Sequence, residues 1–172
     1  FYEIFGKKIC AKNVSHLIVA IMRLLNVQGS VLNDFMGYGE WFYGALSEIA
    51  GKEHGKYTGF MKPVCVNKND LFQDLIQVMK SVDKDISKKI SMHETSFKTW
   101  NNPENEEFDL YFSSIHLMFE NIVGYFETND VENIYAFSIR SYMHKIMDSV
   151  KEHGYIVFVV DSFESSSNYS NF

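Results

Sequence analysis

Residues 31–50 read VLNDFMGYGEWFYGALSEIA, and this stretch sets the fold class. Val31 to Phe35 is a short apolar run between Gly29-Ser30 and Gly37, the pattern of a buried strand. Gly37 and Gly39 then bend the chain. From Glu40 to Ala50 apolar residues recur at helical spacing until Gly51 stops them. Strand, Gly-x-Gly turn and helix in succession are how α/β proteins seat a nucleoside. Glycines lack the side chains that would hold the backbone away from a ligand, and the cleft lies beyond the carboxyl end of the strand.

Upstream, residues 1–9 (FYEIFGKKI) are apolar and aromatic and turn at Gly6 and Lys7. Asn13 or Ser15 can cap a helix whose apolar face is Leu17, Ile18, Ile21, Met22 and Leu25, with Asn26 and Gly29 ending it. Downstream, Gly51 to Gly59 reads as a loop and residues 60–66 (FMKPVCV) as a second strand that Pro63 confines to an edge or an entrance. Asn69 or Asp70 opens a helix carrying Leu71, Leu75, Ile76, Val78 and Met79. Residues 80–98 mix charges and read as surface, with Lys80, Lys84, Lys88, Lys89 and Lys98 interleaved with Asp83, Asp85 and Glu94. Residues 101–107 (NNPENEE) are a linker, and 108–126 are apolar and aromatic, helical from about His116. Val131 to Val150 predicts a further helix that Gly154 stops. Residues 155–160 (YIVFVV), apolar on both faces, predict a central covered strand. Residues 165–172 are rich in Ser and Asn and read as a flexible tail.

Strands alternating with helices predict an α/β domain with a doubly wound, mostly parallel sheet. With 46% apolar and 16% aromatic residues, the 172-residue chain has ample core for a single domain, 1–172. The long helical stretch from Leu71 to His153 predicts an inserted helical subdomain, 80–153. A net charge of −6 argues against a dedicated nucleic-acid binder without excluding a local basic groove. Cys10 and Cys65 make no C-x-x-C pair, and the six histidines have no metal spacing, so no metal site is expected. The longest apolar run, Leu17 to Met22, is too short to span a bilayer, and no secretory segment opens the chain. A cytoplasmic protein of a reducing compartment is therefore expected. The sequence opens on Phe1, which implies a processed product or a piece of a longer protein.

Four segments, in order, resemble those of Dam-type adenine-specific DNA methyltransferases. They are Gly6-Lys7-Lys8, Asn33-Asp34-Phe35-Met36-Gly37-Tyr38-Gly39, Asn67-Lys68-Asn69, and YIVFVV closing on Asp161-Ser162-Phe163-Glu164. That family carries Gly-Gly-Lys, an acid-Pro-Phe-x-Gly-x-Gly loop, Asn-Asp-x-Asn and Asp-Pro-Pro-Tyr at the corresponding places. The resemblance implies a Rossmann-like fold, S-adenosylmethionine as cofactor and DNA as partner, with 80–153 resembling the target-recognition region. It implies a cofactor site lined by Lys8, Asn33, Asp34, Phe35, Gly37, Gly39 and Asn67. It also implies a catalytic tetrapeptide at Asp161, Ser162, Phe163 and Glu164, where the acid would hold the adenine amino group and Phe163 would stack on the flipped base.

The departures from the family pattern keep other readings open. Asn33 and Lys68 stand where that family has acids, and Ser162, Phe163 and Glu164 stand in place of Pro-Pro-Tyr. A non-catalytic binding partner or inhibitor that keeps the fold, with a protein partner completing it, fits these changes. So does a small-molecule sensor domain whose Gly-x-Gly is only a tight turn. Arg140 and His144, one helical turn apart, are the remaining pair with chemistry.

Overall fold

The computed structural model describes residues 2–4, 7–9, 14–34, 40–60, 77, 84–93, 95, 97–114 and 131–159. Except for Gln77, the helix expected at 69–79 lies outside these residues, as do the Gly-x-Gly loop, Cys10, Cys65 and the tail at 165–172.

Strand β1 (Tyr2–Ile4) and strand β2 (Lys7–Ile9) form an antiparallel pair. Helix α1 (Val14–Leu24) follows and buries the expected stripe of Leu17, Ile18, Ile21 and Met22, with Leu25 just beyond its end. It closes in a Schellman arrangement: the Val27 amide donates to the Met22 carbonyl (2.9 Å), and the Asn26 amide donates to that of Arg23 (3.2 Å). Asn26 itself is left-handed (φ 52°), a conformation asparagine tolerates. Strand β3 (Ser30–Asn33) then enters the sheet, and helix α2 (Glu40–Ile49) returns along the same face.

Strand β4 (Lys56–Phe60) pairs parallel with β3, Val31 opposite Tyr57 and Asn33 opposite Gly59. The stretch 51–59 read as loop thus holds most of a strand, while residues 61–66 of the expected second strand lie outside the described residues. KYTGF carries a weak apolar signal, and its residues are buried because both neighbouring strands and helices cover them. A short helix α3 (Lys84–Lys88) leads into strand β5 (Ile90–His93), which pairs parallel with β4. Strand β6 (Phe108–Ser114) pairs parallel with the other side of β3, Leu32 opposite Tyr111. Helix α4 (Val131–Asp148) returns to strand β7 (Val150–Val159), parallel to β6. The sheet order is β5-β4-β3-β6-β7, a doubly wound parallel sheet as expected.

Two expectations are corrected here. Residues 80–153 contain β5 and β6, so this stretch is part of the sheet rather than a separate helical insertion. A four-residue strand such as β5, between charged segments, has too little periodicity of its own; pairing with β4 and β3 supplies what local pattern does not. Residues 155–159 (YIVFV) form the second half of β7, which lies at one edge of the described sheet and not at its centre. Val157 and Val159 face α1 and α2, and Phe158 faces α4, while Tyr155 and Ile156 remain exposed. The first half of β7 is irregular: β6 advances from Phe108 to Leu110 while β7 advances from Val150 to Tyr155, through His153 at φ 94°.

Two apolar layers hold the sheet. On one face α1 and α2 bury Leu17, Ile21, Met22, Phe42, Ala45 and Ile49 against Val31, Tyr57, Leu110 and Phe112. On the other face α4 buries Tyr142 and Ile146 against Leu32, Phe60, Phe97, Phe108 and Tyr111. At the amino edge, Asp109 of β6 joins three strands. Its Oδ2 accepts from the Ser30 amide (2.6 Å) and from Lys151 Nζ (3.0 Å).

Candidate functional site

The chain runs from β3 outward to β4 and β5, then returns to β6 on the opposite side of β3. Helices therefore diverge to the two faces at the carboxyl ends of β3 and β6, and a cleft at this switch point is the usual ligand site of an open parallel sheet. Asn33 ends β3 and Asp34 follows it, with Ser113 and Ser114 ending β6 alongside.

Side chains alternate along β3, so these two residues face opposite layers. Asn33 is buried toward α1 and α2, and its Nδ2 donates to the Tyr57 hydroxyl at 2.9 Å. Burial pushes that phenol far above its ordinary range, so it stays neutral. Asp34 is buried toward α4. Its amide donates to the Phe112 carbonyl (3.3 Å), which prolongs the β3–β6 pairing by one residue. Its Oδ2 accepts from the Tyr111 hydroxyl of β6 at 2.7 Å and from the Tyr142 hydroxyl of α4. Its Oδ1 has no partner among the described residues.

Burial raises the Asp34 carboxyl above the ordinary carboxylate range, opposed by the two tyrosine hydroxyls and by the Lys145 ammonium. The same burial, with the Asp34 charge, holds Tyr111 and Tyr142 neutral. Lys145 donates to the Lys98 carbonyl (2.8 Å) and to that of Trp100, and lies 5.1 Å from the centre of the Phe97 ring. Burial lowers its affinity for the proton, against the pull of Asp34.

A carboxyl that binds its proton more tightly in the native than in the unfolded chain stabilises the fold at low pH. It loses that contribution as pH rises from the unfolded value, about 3.9, through the raised native one. Asp34→Asn removes this dependence. The melting temperature of the variant, relative to the native protein, is expected to improve by a few degrees between pH 4 and pH 8. A difference that does not change over that range would mean that Asp34 ionises as it does in the unfolded chain.

At the carboxyl ends of β4 and β5, His93 stacks on Phe60 (5.1 Å between ring centres) and leans on Trp100 (5.3 Å). Burial lowers the His93 imidazole below its ordinary value, keeping it neutral.

Of the expected site residues, the structure brings Asn33 and Asp34 to the switch point. Lys8 lies in β2, in the separate two-stranded sheet, and its side chain is outside the described set. Phe35, Gly37, Gly39, Asn67, Asp161, Ser162, Phe163 and Glu164 also lie outside it. The strand that leads to Asp161 is separated from β3 by β6, a lateral offset of about 10 Å. Tyr57, Tyr111 and Tyr142 were not anticipated. Tyr142 shares a helical stripe with Ile146, and Tyr111 alternates along FDLYFSS, so both signals were those of ordinary core residues. Among the described residues no cluster of His, Cys, Asp and Glu could hold a metal, and no helix is long and apolar enough to cross a membrane.

No family model and no curated protein matches the sequence. Solved structures do match. The glycopeptide N-methyltransferase MtfA complexed with sinefungin aligns with 91% of this chain and 53% of its own, at TM-score 0.55 and 11% identity. An rRNA methylase from Streptococcus thermophilus aligns with 89% of this chain and 73% of its own, at TM-score 0.51 and 12% identity. The fold is a Rossmann-like methyltransferase fold. This chain spans about half the length of the first of these proteins. In this fold Gly37-Tyr38-Gly39 come in sequence after β3, and β6 is the neighbour of β3 across the switch point.

Proposed function

We propose that this chain binds S-adenosylmethionine at the carboxyl end of β3 and uses it for methyl transfer. The observation that carries the reading is that the Gly-x-Gly sequence directly follows the central strand at the switch point of a methyltransferase fold. A neighbour of that fold is complexed with sinefungin. The residues present fit such a ligand. Two glycines let the backbone approach it, and Asn33 stands at the strand end. When bound, the cofactor supplies an electrophilic methyl group.

The acceptor that the ordered segments support is the adenine amino group in DNA. The strand order bears on which residues would meet it. Ser113 and Ser114 close the strand beside β3, with Ile115 and His116 next in sequence, whereas Asp161 to Glu164 come in sequence after the strand beyond. We therefore favour the end of β6 as the acceptor-facing segment. The residues there orient an amine rather than deprotonate it, since a neutral nucleophile attacking a sulfonium methyl sheds its proton after transfer.

Isothermal titration with S-adenosylmethionine tests the first step, and transfer of labelled methyl to duplex DNA, single-stranded DNA, RNA and small amines tests the second. Binding in the micromolar range is expected. Gly37→Val should weaken it by about a hundredfold or more, since a branched side chain stands where the ligand must approach. A native protein that does not bind would remove the reading. Binding without transfer to any acceptor would favour the second reading, a non-catalytic partner. That alternative is supported by Asn33, whose amide is committed to Tyr57 where related enzymes carry an acid.

A further inference from the structure

We propose that Asp34 is a positioning residue for the Gly-x-Gly loop: the Tyr111 and Tyr142 hydroxyls converge on one carboxylate oxygen and clamp the carboxyl end of β3 to both β6 and α4. The proposal rests on the reading above, in that the loop it positions is the cofactor loop.

Three observations carry it. First, the polarity is out of place. Asp34 is 2% exposed and lies against the layer formed by Leu32, Phe97, Tyr142 and Ile146, where an aliphatic side chain would pack without any cost of desolvation. Second, the bonds are asymmetric. Both hydroxyls go to Oδ2, and Oδ1 is buried with no partner among the described residues. A network that served only to satisfy a buried carboxylate would serve both oxygens. This one leaves one oxygen orphaned while tying three elements to the other. Third, the tie sits where direction matters. Asp34 is the last described residue before Phe35-Met36-Gly37-Tyr38-Gly39, and it is held by its amide to Phe112 as well as by its side chain. With the residue fixed at amide and carboxylate, the direction in which the chain leaves the sheet is fixed too. Glycines have no side chains of their own to set that direction.

The clamp also reaches the helical side. Tyr142 lies one turn from Lys145 and Ile146 on α4, and Lys145 holds the carbonyls of Lys98 and Trp100. The β3 exit, α4 and the 97–100 segment are therefore joined through Asp34, Tyr142 and Lys145.

Replacing a buried polar set by apolar residues of similar shape is often neutral or stabilising, so fold and position can be separated. The triple variant Asp34→Leu, Tyr111→Phe, Tyr142→Phe is expected to melt at or above the native temperature. It should nevertheless bind S-adenosylmethionine about tenfold more weakly or worse. Tyr142→Phe alone should weaken binding by about threefold to tenfold. Asp34→Asn, whose amide oxygen can accept both hydroxyls, should stay within about threefold of native. Hydrogen exchange of the amides at 35–39 without ligand gives a second readout: exchange should be faster in Tyr142→Phe and near native in Asp34→Asn.

Native-like affinity and native-like exchange in the folded triple variant would overturn the clamp while leaving cofactor binding intact. If the triple variant does not fold, Tyr142→Phe and Asp34→Asn decide: equal effects on both readouts would overturn the proposal. A native protein that does not bind the cofactor would remove the reading it rests on, and unchanged exchange in Tyr142→Phe would remove the clamp itself.

Discussion

Valine in place of Gly44 is expected to unfold the protein or leave it only marginally stable. A Cβ at this position would stand 2.3 Å from the Ser15 carbonyl oxygen and 2.3 Å from Ile18 Cγ2, with the Ser15 carbonyl carbon at 3.0 Å. One obstacle is backbone and the other a buried branch of α1, so neither can swing aside as the tip of an exposed chain would. The helices must separate, and with them the layer of Ile18, Met22, Phe42 and Ala45 that covers one face of the sheet. Overpacking costs about 1–3 kcal/mol in ordinary cores and more where backbone is struck, against a total stability of about 5–15 kcal/mol. Urea unfolding followed by circular dichroism measures it. A midpoint within experimental scatter of the native value would mean that α1 and α2 do not cross at Gly44. Gly44→Ala should show the same effect at smaller size, since its single methyl already meets both atoms.

The second large effect is expected at Phe97, in a segment whose sequence reads as charged surface. Its ring is fully buried. It meets Phe60 (5.4 Å between centres), Tyr111 (5.7 Å) and Tyr142 (5.9 Å), and the Lys145 ammonium stands 5.1 Å from it. Phe97→Ala removes the body that these side chains share and leaves a cavity under α4, at a cost of about 3–5 kcal/mol. For a chain of this length that corresponds to a fall in melting temperature of about 10 °C. Phe97→Leu, which keeps most of the volume, should lose roughly a third of that. A variant Phe97→Ala that melts with the native protein would contradict the packing described for this face.

The two predictions separate what was legible from what was not. The α1 stripe and the β3-turn-α2 unit are carried by local pattern. Leu17, Ile18, Ile21, Met22 and Leu25 recur at helical spacing, Asn26 ends the helix by adopting a left-handed conformation, and Val31-Leu32 stands between glycines. Each of these is a preference of a few neighbouring residues, so it survives without knowledge of the rest. β4, β5 and β6 are different. KYTGF, ISMH and FDLYFSS become strands because each finds parallel partners far away in sequence, and their burial follows from the pairing. A helical insertion at 80–153 is what local pattern alone implies, since it carries neither β5 nor β6.

YIVFVV shows the converse. Its hydrophobicity marked it correctly as a strand but not its place. Apolar residues on both faces say that helices cover the strand above and below, as they do at Val157, Phe158 and Val159; they say nothing of how many strands lie on either side. The neighbours of β3 are instead β4 and β6, both less apolar. Asp34 is the same lesson at one residue. Its sequence position named it as part of the turn, while its partners, Tyr111 and Tyr142, lie 77 and 108 residues away.

On its own, then, the chain's order of residues determined an α/β domain with a β-Gly-x-Gly-α unit in its first third, because periodicity, capping and glycine turns act between near neighbours. The tertiary structure alone decided which strand lies beside that unit and where the Asp34 carboxylate turns. Strand order and buried polar pairing are settled by hydrogen bonds between distant segments and by the area they bury together, and no short window of sequence contains either.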